Sequence, residues 1–433
     1  MKMFWRKNLG ITIIIILSLL PVVEWLRLAG PSARFYSFAA TMASLGQVCG
    51  LVGMAMFSLN LILAGRLKSL DNLFYGLNNV YNYHRQIGAI GFSLLLFHPL
   101  FLAVSYLQIS VLAAARLLLP IYDTAVTYGI ISLLLMIILL GLTFYGSLKY
   151  HHWKITHKLM LVAFLFGLFH ILSITSDVSG DPWLKTYLVA LSLLGLGLGA
   201  YRAILSYFLS RPARYRVEAL KRRADGITEI IMKPEGRSLN FTAGQFVFVR
   251  FNSRSVPAES HPFSVSSAPE QTEISLTIKS LGDFTAQIPG LAIGDLALLE
   301  GPFGKFSHQN GRHKSQIWIA GGIGITPFLS MIRGLRDQHY SIDLYYCVGD
   351  EAEAVFLPEL KTIAQANPGV RIIPWYSKER GYITGQAISG QSGLQEKDVF
   401  ICGPANFMAN LKKQLRDLHV ATQNIHSEEF KFL

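Results

Sequence analysis

Six apolar runs, free or nearly free of charge, fill most of the N-terminal half: about Leu9–Val23, Met42–Ala64, Ile87–Tyr106, Ala125–Leu148, Leu159–Ile174 and Thr186–Tyr201. A bilayer core takes about 20 apolar residues per helical crossing, and the shorter runs lengthen where flanking residues snorkel. Water cannot reach the backbone at that depth, so each run satisfies its own N–H and C=O groups as a helix. The composition agrees. Of the 433 residues, 51% are hydrophobic and 15% charged, against about 25% charged in an ordinary soluble domain. That excludes an ordinary cytosolic enzyme. Lys2, Arg6 and Lys7 ahead of Ile11–Leu20 also have the look of a signal peptide. No convincing cleavage site follows, and an uncleaved anchor is expected.

Charge is divided unevenly. Residues 1–209 carry 14 Lys/Arg against 5 Asp/Glu, a net of +9, while residues 210–433 carry 25 against 22, a net of +3. A nucleic-acid binder would gather its basic residues on a soluble face, so no nucleic-acid partner is expected; a surplus in the apolar half reports topology instead. The N-terminus (Lys2, Arg6, Lys7), the second loop (Arg66, Lys68, Arg85) and the fourth loop (Lys149, Lys154, Lys158) hold nine basic residues, and the alternate loops (Arg27, Arg34, Arg116, Lys185) hold four. Both termini are therefore expected in the cytoplasm, with the polar C-terminal half cytosolic. The three cysteines, Cys49, Cys347 and Cys402, form no CxxC pair, which excludes a disulfide scaffold and a four-thiolate iron–sulfur cluster.

Four of the twelve histidines fall in or at the ends of the spans, His84 and His98 on the third and His157 and His170 on the fifth. Ionisable side chains at membrane depth are costly and are functional candidates. Their separations, 14 and 13 residues, correspond to about 20 Å along a helix. If both helices run the same way, His84 lies level with His157 and His98 with His170. Two bis-imidazole sites then stack across the membrane, and an iron porphyrin fits each. A single histidine in a span more often bonds a helix carbonyl or lines a proton path; the matched pair of pairs sets these four apart. The 13-residue spacing leaves an offset of about 140° on a regular helix, so the fifth span must twist, bulge or meet its ligand from the side.

After a short basic linker, Ser210–Tyr215, the pattern turns β-rich. Phe246–Phe251 and Ile274–Ile278 alternate between Gly/Pro turns. From about Gln316, strands and helices alternate: Ile317–Ala320, the glycine-rich turn Gly321–Pro327, a helix over Phe328–Asp337, then strands Ile342–Cys347 and Val399–Cys402. The expected organisation is a six-helix membrane bundle over 1–209, an antiparallel β-barrel over 210–310 and an α/β parallel-sheet nucleotide domain over 311–433. A glycine-rich βα turn lets a pyrophosphate approach N–H groups at a helix N-terminus. Alone that turn is weak evidence. It gains force from His261-Pro262-Phe263-Ser264-Val265-Ser266-Ser267, the turn Leu281-Gly282-Asp283-Phe284-Thr285, the tight turn Gly301–Gly304 and Cys402-Gly403-Pro404, all in this order.

Over about residues 40–433 the chain resembles the ferric reductase and NADPH oxidase superfamily, bacterial type without regulatory extensions: a ferric-reductase-like transmembrane domain fused to a ferredoxin–NADP reductase-type module. The resemblance implies that His84, His98, His157 and His170 ligate two b-type haems. It implies FAD against His261–Ser267, with Ser264 facing the isoalloxazine, and a pyrophosphate near Gly282, Asp283, Phe284 and Thr285. It further implies NADPH or NADH on Gly321, Gly322, Gly324, Thr326 and Pro327, with Cys402, Gly403 and Pro404 beside the nicotinamide. Phe430, in the closing Glu428–Phe432, would cover the flavin. Ser264, Cys402 and Phe430 are thus the expected catalytic residues. One departure concerns the ribose 2′-phosphate: where NADPH-preferring relatives often carry arginine, this chain has Cys347-Val348-Gly349-Asp350, leaving Lys378 and Arg380 to supply charge.

Electron counting then orders the implied cofactors. NAD(P)H gives two electrons as a hydride and haem iron takes one, so FAD stands between them. The expected activity is an NAD(P)H oxidoreductase in the lipid bilayer of a bacterial inner membrane. Its external acceptor would be a small molecule, either a ferric chelate or dioxygen giving superoxide. The alternative is an electron-supply module for a partner protein or quinone.

Overall fold

A computed structural model has six helices long and apolar enough to cross a membrane: Asn8–Leu28, Phe38–Leu63, Leu77–Tyr106, Thr124–Tyr145, His152–Ser173 and Pro182–Ala203. The structure describes residues 2–120, 123–146, 148, 150–205 and 212–428. The chain is an integral membrane protein. Side-chain caps mark where several spans begin. The Ser37 hydroxyl accepts from the Ala40 N–H at 3.1 Å, Asp123 from Val126 at 2.8 Å, and Asp181 from Leu184 at 2.6 Å, with Pro182 in the first turn. The third helix starts at Leu77 rather than Ile87. Asn82 and Arg85 interrupt the apolar run without interrupting the helix, and Arg85 bonds Asn82 on the same face.

The chain divides into two compact units, Met1–Ser210 and Arg211–Leu433. In the first, the second span is the most buried and packs against the first, third and sixth. Glycine permits its close contact with the third span. A Cβ on Gly53 would stand 2.8 Å from Leu95, and one on Gly46 would stand 2.8 Å from Leu102. The fifth span is two helices, Tyr150–Lys158 and Met160–Ser173, meeting at Leu159. There the Leu159 N–H bonds Thr156 C=O at 3.0 Å and the Val162 N–H bonds Leu159 C=O at 2.9 Å. These i→i+3 bonds wind the chain by about 20° more per residue than an α-helix does. That local overwinding recovers part of the phase offset left by the 13-residue spacing.

The second unit holds two sheets. Strands β1 (Ala213–Ala224), β2 (Ile227–Pro234), β3 (Phe246–Asn252), β4 (His261–Ser264), β5 (Ile274–Lys279) and β6 (Leu296–Phe303) form an antiparallel sheet in the order β4-β3-β6-β1-β2-β5. A bridge from Val265 to Leu276 joins its two ends, closing a barrel filled by Tyr215, Ile230, Val247, Phe251 and Leu276. Strands β7 (Ser315–Gly321), β8 (Ser341–Val348), β9 (Val370–Tyr376), β10 (Asp398–Cys402) and β11 (Ile425–Glu428) form a parallel sheet in the order β11-β10-β7-β8-β9. Its strands are apolar on both faces. Trp318, Leu344 and Phe400 enter one core, while Ile317, Tyr345 and Val399 enter the other. β7, first in sequence, has β8 on one side and β10 on the other. The topological switch point, where open α/β sheets bind ligands, is therefore the crevice beyond the ends of β7 and β10. Gly321–Pro327 and Cys402–Pro404 both stand there.

Candidate functional site

Within the first unit the four span histidines come together as two facing pairs. The His84 and His157 ring centroids are 6.2 Å apart with planes at 74°, and those of His98 and His170 are 6.3 Å apart at 68°. Three of the four are pinned by a main-chain carbonyl. Nδ1 of His84 bonds Asn60 O at 3.0 Å, Nδ1 of His98 bonds Gly46 O at 2.7 Å, and Nδ1 of His170 bonds Ala125 O at 2.7 Å. A ring donating from Nδ1 keeps its Nε2 lone pair, which is the arrangement found around metal-bound histidine. His157 differs. Its buried Nδ1 has no hydrogen-bond partner among the described residues, and the Trp153 ring stacks on it at 5.3 Å and 19°.

Glycine makes room for the His98/His170 pair. A Cβ on Gly50 would lie 2.8 Å from His98 Nδ1, and one on Gly129 would lie 3.0 Å from His170 Nδ1. Sequence reasoning did not identify Gly46, Gly50, Asn60 or Gly129. Asn60, a polar residue inside an apolar span, was a readable signal; the glycines became meaningful only with a partner ring beside them. Between the two levels lies an apolar layer of Met54, Phe57, Met136 and Phe164, the two phenylalanines edge to face at 4.9 Å. Among the described residues no third histidine, cysteine or carboxylate makes either pair into a cluster able to hold a bare ion.

In the second unit, β4 pairs with β3, Phe246 opposite Ser264 and Val249 opposite His261. His261 bonds Glu259 at 2.9 Å and stacks on Phe284 at 3.9 Å, and Phe263 lies 6.4 Å from the same ring. The two predicted segments, His261–Ser267 and Gly282–Thr285, thus form one surface around Phe284, with Pro262 between the two stacked residues. Ser264 is 5% exposed and its Oγ has no hydrogen-bond partner among the described residues. A buried hydroxyl in that state is a site awaiting a partner.

Ser266 and Ser267 are used differently. Ser266 Oγ donates to Ser275 O and accepts from Thr277, while Ser267 Oγ accepts the Ser275 N–H. Their hydroxyls hold the barrel together, as does the buried side chain of Val265. Thr285 also turns inward on its own loop, its Oγ1 accepting the N–H groups of Leu281 and Gly282 at 2.9 and 3.0 Å. Gly282 and Asp283 remain exposed.

At the switch point, β7 ends in Gly321, Gly322–Ile325 forms a 3₁₀ turn, and the helix Thr326–Arg333 follows with Pro327 in its first turn. The glycines have separate reasons. Gly322 has φ +56° and open space where a Cβ would go. Gly324 presses on the main-chain carbonyl of Cys402, and Gly403 lies against Gly321 Cα. Cys402 is 2% exposed, between Ala320 on β7 and Glu428 on β11. Burial, reinforced by the Glu428 charge, pushes its thiol far above the ordinary range and keeps it protonated at neutral pH. Phe430 lies outside the described residues.

At the end of β8, Lys378 Nζ bonds Asp350 at 2.6 Å. The Lys378 hydrogen bond, followed by the Glu353 N–H, holds the Asp350 carboxyl below its usual range. Arg380 packs over the Trp375 ring at 5.6 Å.

Three segments match known families: residues 49–168 the ferric reductase like transmembrane component, 214–307 an FAD-binding domain and 318–413 the oxidoreductase NAD-binding domain. Similar curated proteins include the flavohemoprotein of Halalkalibacterium halodurans, 28% identical over 49% of this chain and 58% of that one. Another is the propane 2-monooxygenase reductase component of Mycolicibacterium smegmatis, 26% identical over 44% of this chain and 60% of that one. The chain thus spans little more than half the length of these relatives. Among solved structures, the flavohemoglobin of Malassezia yamatoensis with bound FAD and heme covers 77% of this chain and 94% of its own, with a TM-score of 0.48 and 17% identity.

Proposed function

The chain belongs to the ferric reductase and NADPH oxidase superfamily, and from that premise we propose that it moves electrons from NAD(P)H through FAD and two b-type haems to an acceptor across the membrane. The three matched domains support a membrane-bound NAD(P)H-dependent oxidoreductase. Bound flavin accepts a hydride's two electrons and releases them singly, and haem iron carries one at a time.

The observation that carries the proposal is the spacing of the histidine pairs. Two metal–imidazole bonds of about 2 Å plus two ring radii of about 1 Å sum to about 6 Å between ring centroids, which both pairs match at 6.2 and 6.3 Å. With no third protein ligand in reach among the described residues, the remaining donors would come with the metal, as a porphyrin's do. His84 with His157, and His98 with His170, would hold the irons. The carbonyls of Asn60, Gly46 and Ala125 would keep three of these rings turned.

Ser264 would give its unpaired hydroxyl to the flavin, and His261 and Phe284 would wall the same site. The open main chain at Gly322 and the N-terminus of Thr326–Arg333 would take the pyrophosphate. Cys402, protonated, would present a neutral side chain to the nicotinamide edge, and Phe430 would close the flavin face. Lys378 is held by Asp350, so a ribose 2′-phosphate would have to compete with a carboxylate for it.

The basic-loop count supports a second unit on the cytosolic side, and the chain would lie in a bacterial inner membrane. The acceptor would be a ferric chelate or dioxygen. The test is an anaerobic spectrum of the detergent-purified chain during NADH or NADPH addition, followed by oxygen and then ferric chelate. Haem bands that reduce and then reoxidise on oxygen, with superoxide release, fit an oxidase. Bands that persist until the chelate arrives fit a ferric reductase, and bands indifferent to both fit a supplier of electrons to a protein or quinone. The absence of any haem band would refute the proposal.

A further inference from the structure

Ser266 and Ser267 follow the strand that carries Ser264, and their main-chain carbonyls are bonded by the other half of the same unit. The Ser266 carbonyl accepts from Arg333 Nη1 at 2.7 Å, and the Ser267 carbonyl accepts from the Ser330 hydroxyl at 2.7 Å. Ser330 and Arg333 lie three residues apart, on one face of the helix Thr326–Arg333. The same helix begins at the glycine turn of the switch point. One rigid element, about 12 Å long by its eight residues, thus joins the nucleotide turn at one end to the flavin strand at the other.

Arg333 is built to hold still. Its fork is bidentate to Glu359, at 2.6 and 3.0 Å, and it reaches Glu229 at 3.4 Å. Glu229, 3% exposed, is also paired with Arg223. The network Arg223–Glu229–Arg333–Glu359 has no net charge. It draws its members from β1, β2 and the helices on both sides of β8, so it ties barrel and nucleotide sheet together. A planar five-donor guanidinium can serve two carboxylates and a carbonyl at once; an ammonium cannot hold that geometry.

We infer that Arg333, assisted by Ser330, is a positioning residue for hydride transfer: it sets the distance between the nucleotide bound at Gly321–Pro327 and the flavin bound at Ser264. This rests on the electron route proposed above. In the step concerned, the C4–H bond of NAD(P)H breaks, the electron pair and its proton pass together to the flavin ring, and NAD(P)⁺ leaves. Arg333 acts through the Ser266 carbonyl, as Ser330 does through that of Ser267, so its loss should slow the transfer while leaving both ligands able to bind.

The test is anaerobic stopped-flow reduction of the flavin in the full chain, as purified with its cofactors, for Arg333→Lys, Ser330→Ala and Glu359→Gln. A misplacement of about 1 Å costs up to about a hundredfold in rate. The limiting rate should therefore fall about tenfold or more in Arg333→Lys and about threefold or more in Ser330→Ala. The NAD(P)H concentration for half-saturation should move less than about threefold. FAD content and haem bands should match the parent, and 4-deuterated NAD(P)H should show an isotope effect on the slowed step. Glu359→Gln loosens the fork that holds Arg333 but leaves the contacts to the Ser266 and Ser267 carbonyls, so its limiting rate should fall between those of the parent and Arg333→Lys. Two results would overturn the inference: parent-like rates in both Arg333→Lys and Ser330→Ala, or rate losses matched by an equal loss of FAD content or an equal rise in half-saturating NAD(P)H, which would reduce the network to a fold stabiliser. A parent flavin that neither NADH nor NADPH reduces would instead sink the electron route itself.

Discussion

The two units build their sites from opposite materials. In the membrane unit the proposed working atoms are side-chain nitrogens, three of them held by main-chain carbonyls of neighbouring helices. In the second unit the working surface is largely main chain, bared at Gly322 and at the end of β10, while side chains such as Arg333, Ser330 and Thr285 hold it in place. A helix in lipid has no spare N–H or C=O groups to offer except as second acceptors, so chemistry there must come from side chains. A βα turn at a switch point has N–H groups to spare. Removing a side chain should therefore abolish function in the first unit, whereas adding a methyl group should do the damage in the second.

His170→Ala offers the most severe break of that comparison. It leaves His98 facing an empty position and removes a ligand no neighbour can replace. The expected result is loss of one of two haems per chain in a pyridine haemochrome assay. Electron delivery to an external acceptor should fall below about 1% of the parent, and reduction of the flavin by NAD(P)H should be unchanged. Flavin reduction that fell in parallel would mean that the membrane unit also maintains the second one.

The converse break uses two glycines of one turn. A Cβ on Gly324 meets the main-chain carbonyl of Cys402, which cannot swing away, whereas one on Gly322 meets nothing and suffers only its φ of +56°. Gly324→Ala should weaken NAD(P)H binding at least about tenfold or fail to fold, by the cost of overpacking at about 1–3 kcal/mol. Gly322→Ala should cost about 1 kcal/mol of stability, read as a small shift in flavin release on heating. Equal effects at the two positions would show that conformation, not the close contact, governs this turn.

What could be read from the sequence follows the same division. His84, His98, His157 and His170 stood out because histidine is rare and costly in a span, and the pairing came from simple helical arithmetic. Their carbonyl partners could not be read, because every residue has a carbonyl and only packing decides which one meets an imidazole. The overwound turn at Leu159 was visible only as a phase error. In the second unit the motifs were legible as glycine, serine and proline in order, but the division of labour among the serines was not. Ser264 ends β4, and Ser266 and Ser267, identical letters, follow it. Only the barrel's closure by Val265 and Leu276 turns two of them inward and leaves one unpaired. Arg333 gave no signal at all, since an arginine ending an amphipathic helix is ordinary until Glu229 arrives from another sheet.

Acid should separate the units by a smaller margin. His308 is 3% exposed beside Trp318 and Tyr340. Burial first, then the Lys314 charge, push its pKa down to about 4. An unfolded histidine protonates near pH 6.5. Between about pH 6.5 and 4 the unfolded chain therefore binds a proton that the folded one refuses, and stability falls as pH falls through that window. The full effect is about 3 kcal/mol. On acidification from pH 7 to 4.5, flavin release should move to lower temperature while the haem bands melt unchanged. His308→Phe should flatten the flavin curve. A curve as steep in the variant as in the parent would assign the acid sensitivity elsewhere.

The finest difference lies inside the membrane unit. At the His98/His170 level both rings donate Nδ1–H to a carbonyl, at 2.7 Å each. At the His84/His157 level only His84 does so, at 3.0 Å, and His157 has Trp153 against its face instead. A donated Nδ1–H makes the imidazole a stronger electron donor and favours the oxidised metal. With ligand type and burial alike, the level with fewer and longer such bonds should have the more positive potential. A redox titration of the parent should show two waves. In His170→Ala, which keeps only the His84/His157 level, the surviving wave should be the more positive one. If the more negative wave survives, second-sphere hydrogen bonding does not order the two levels, and their difference must come from charge near each end of the bundle.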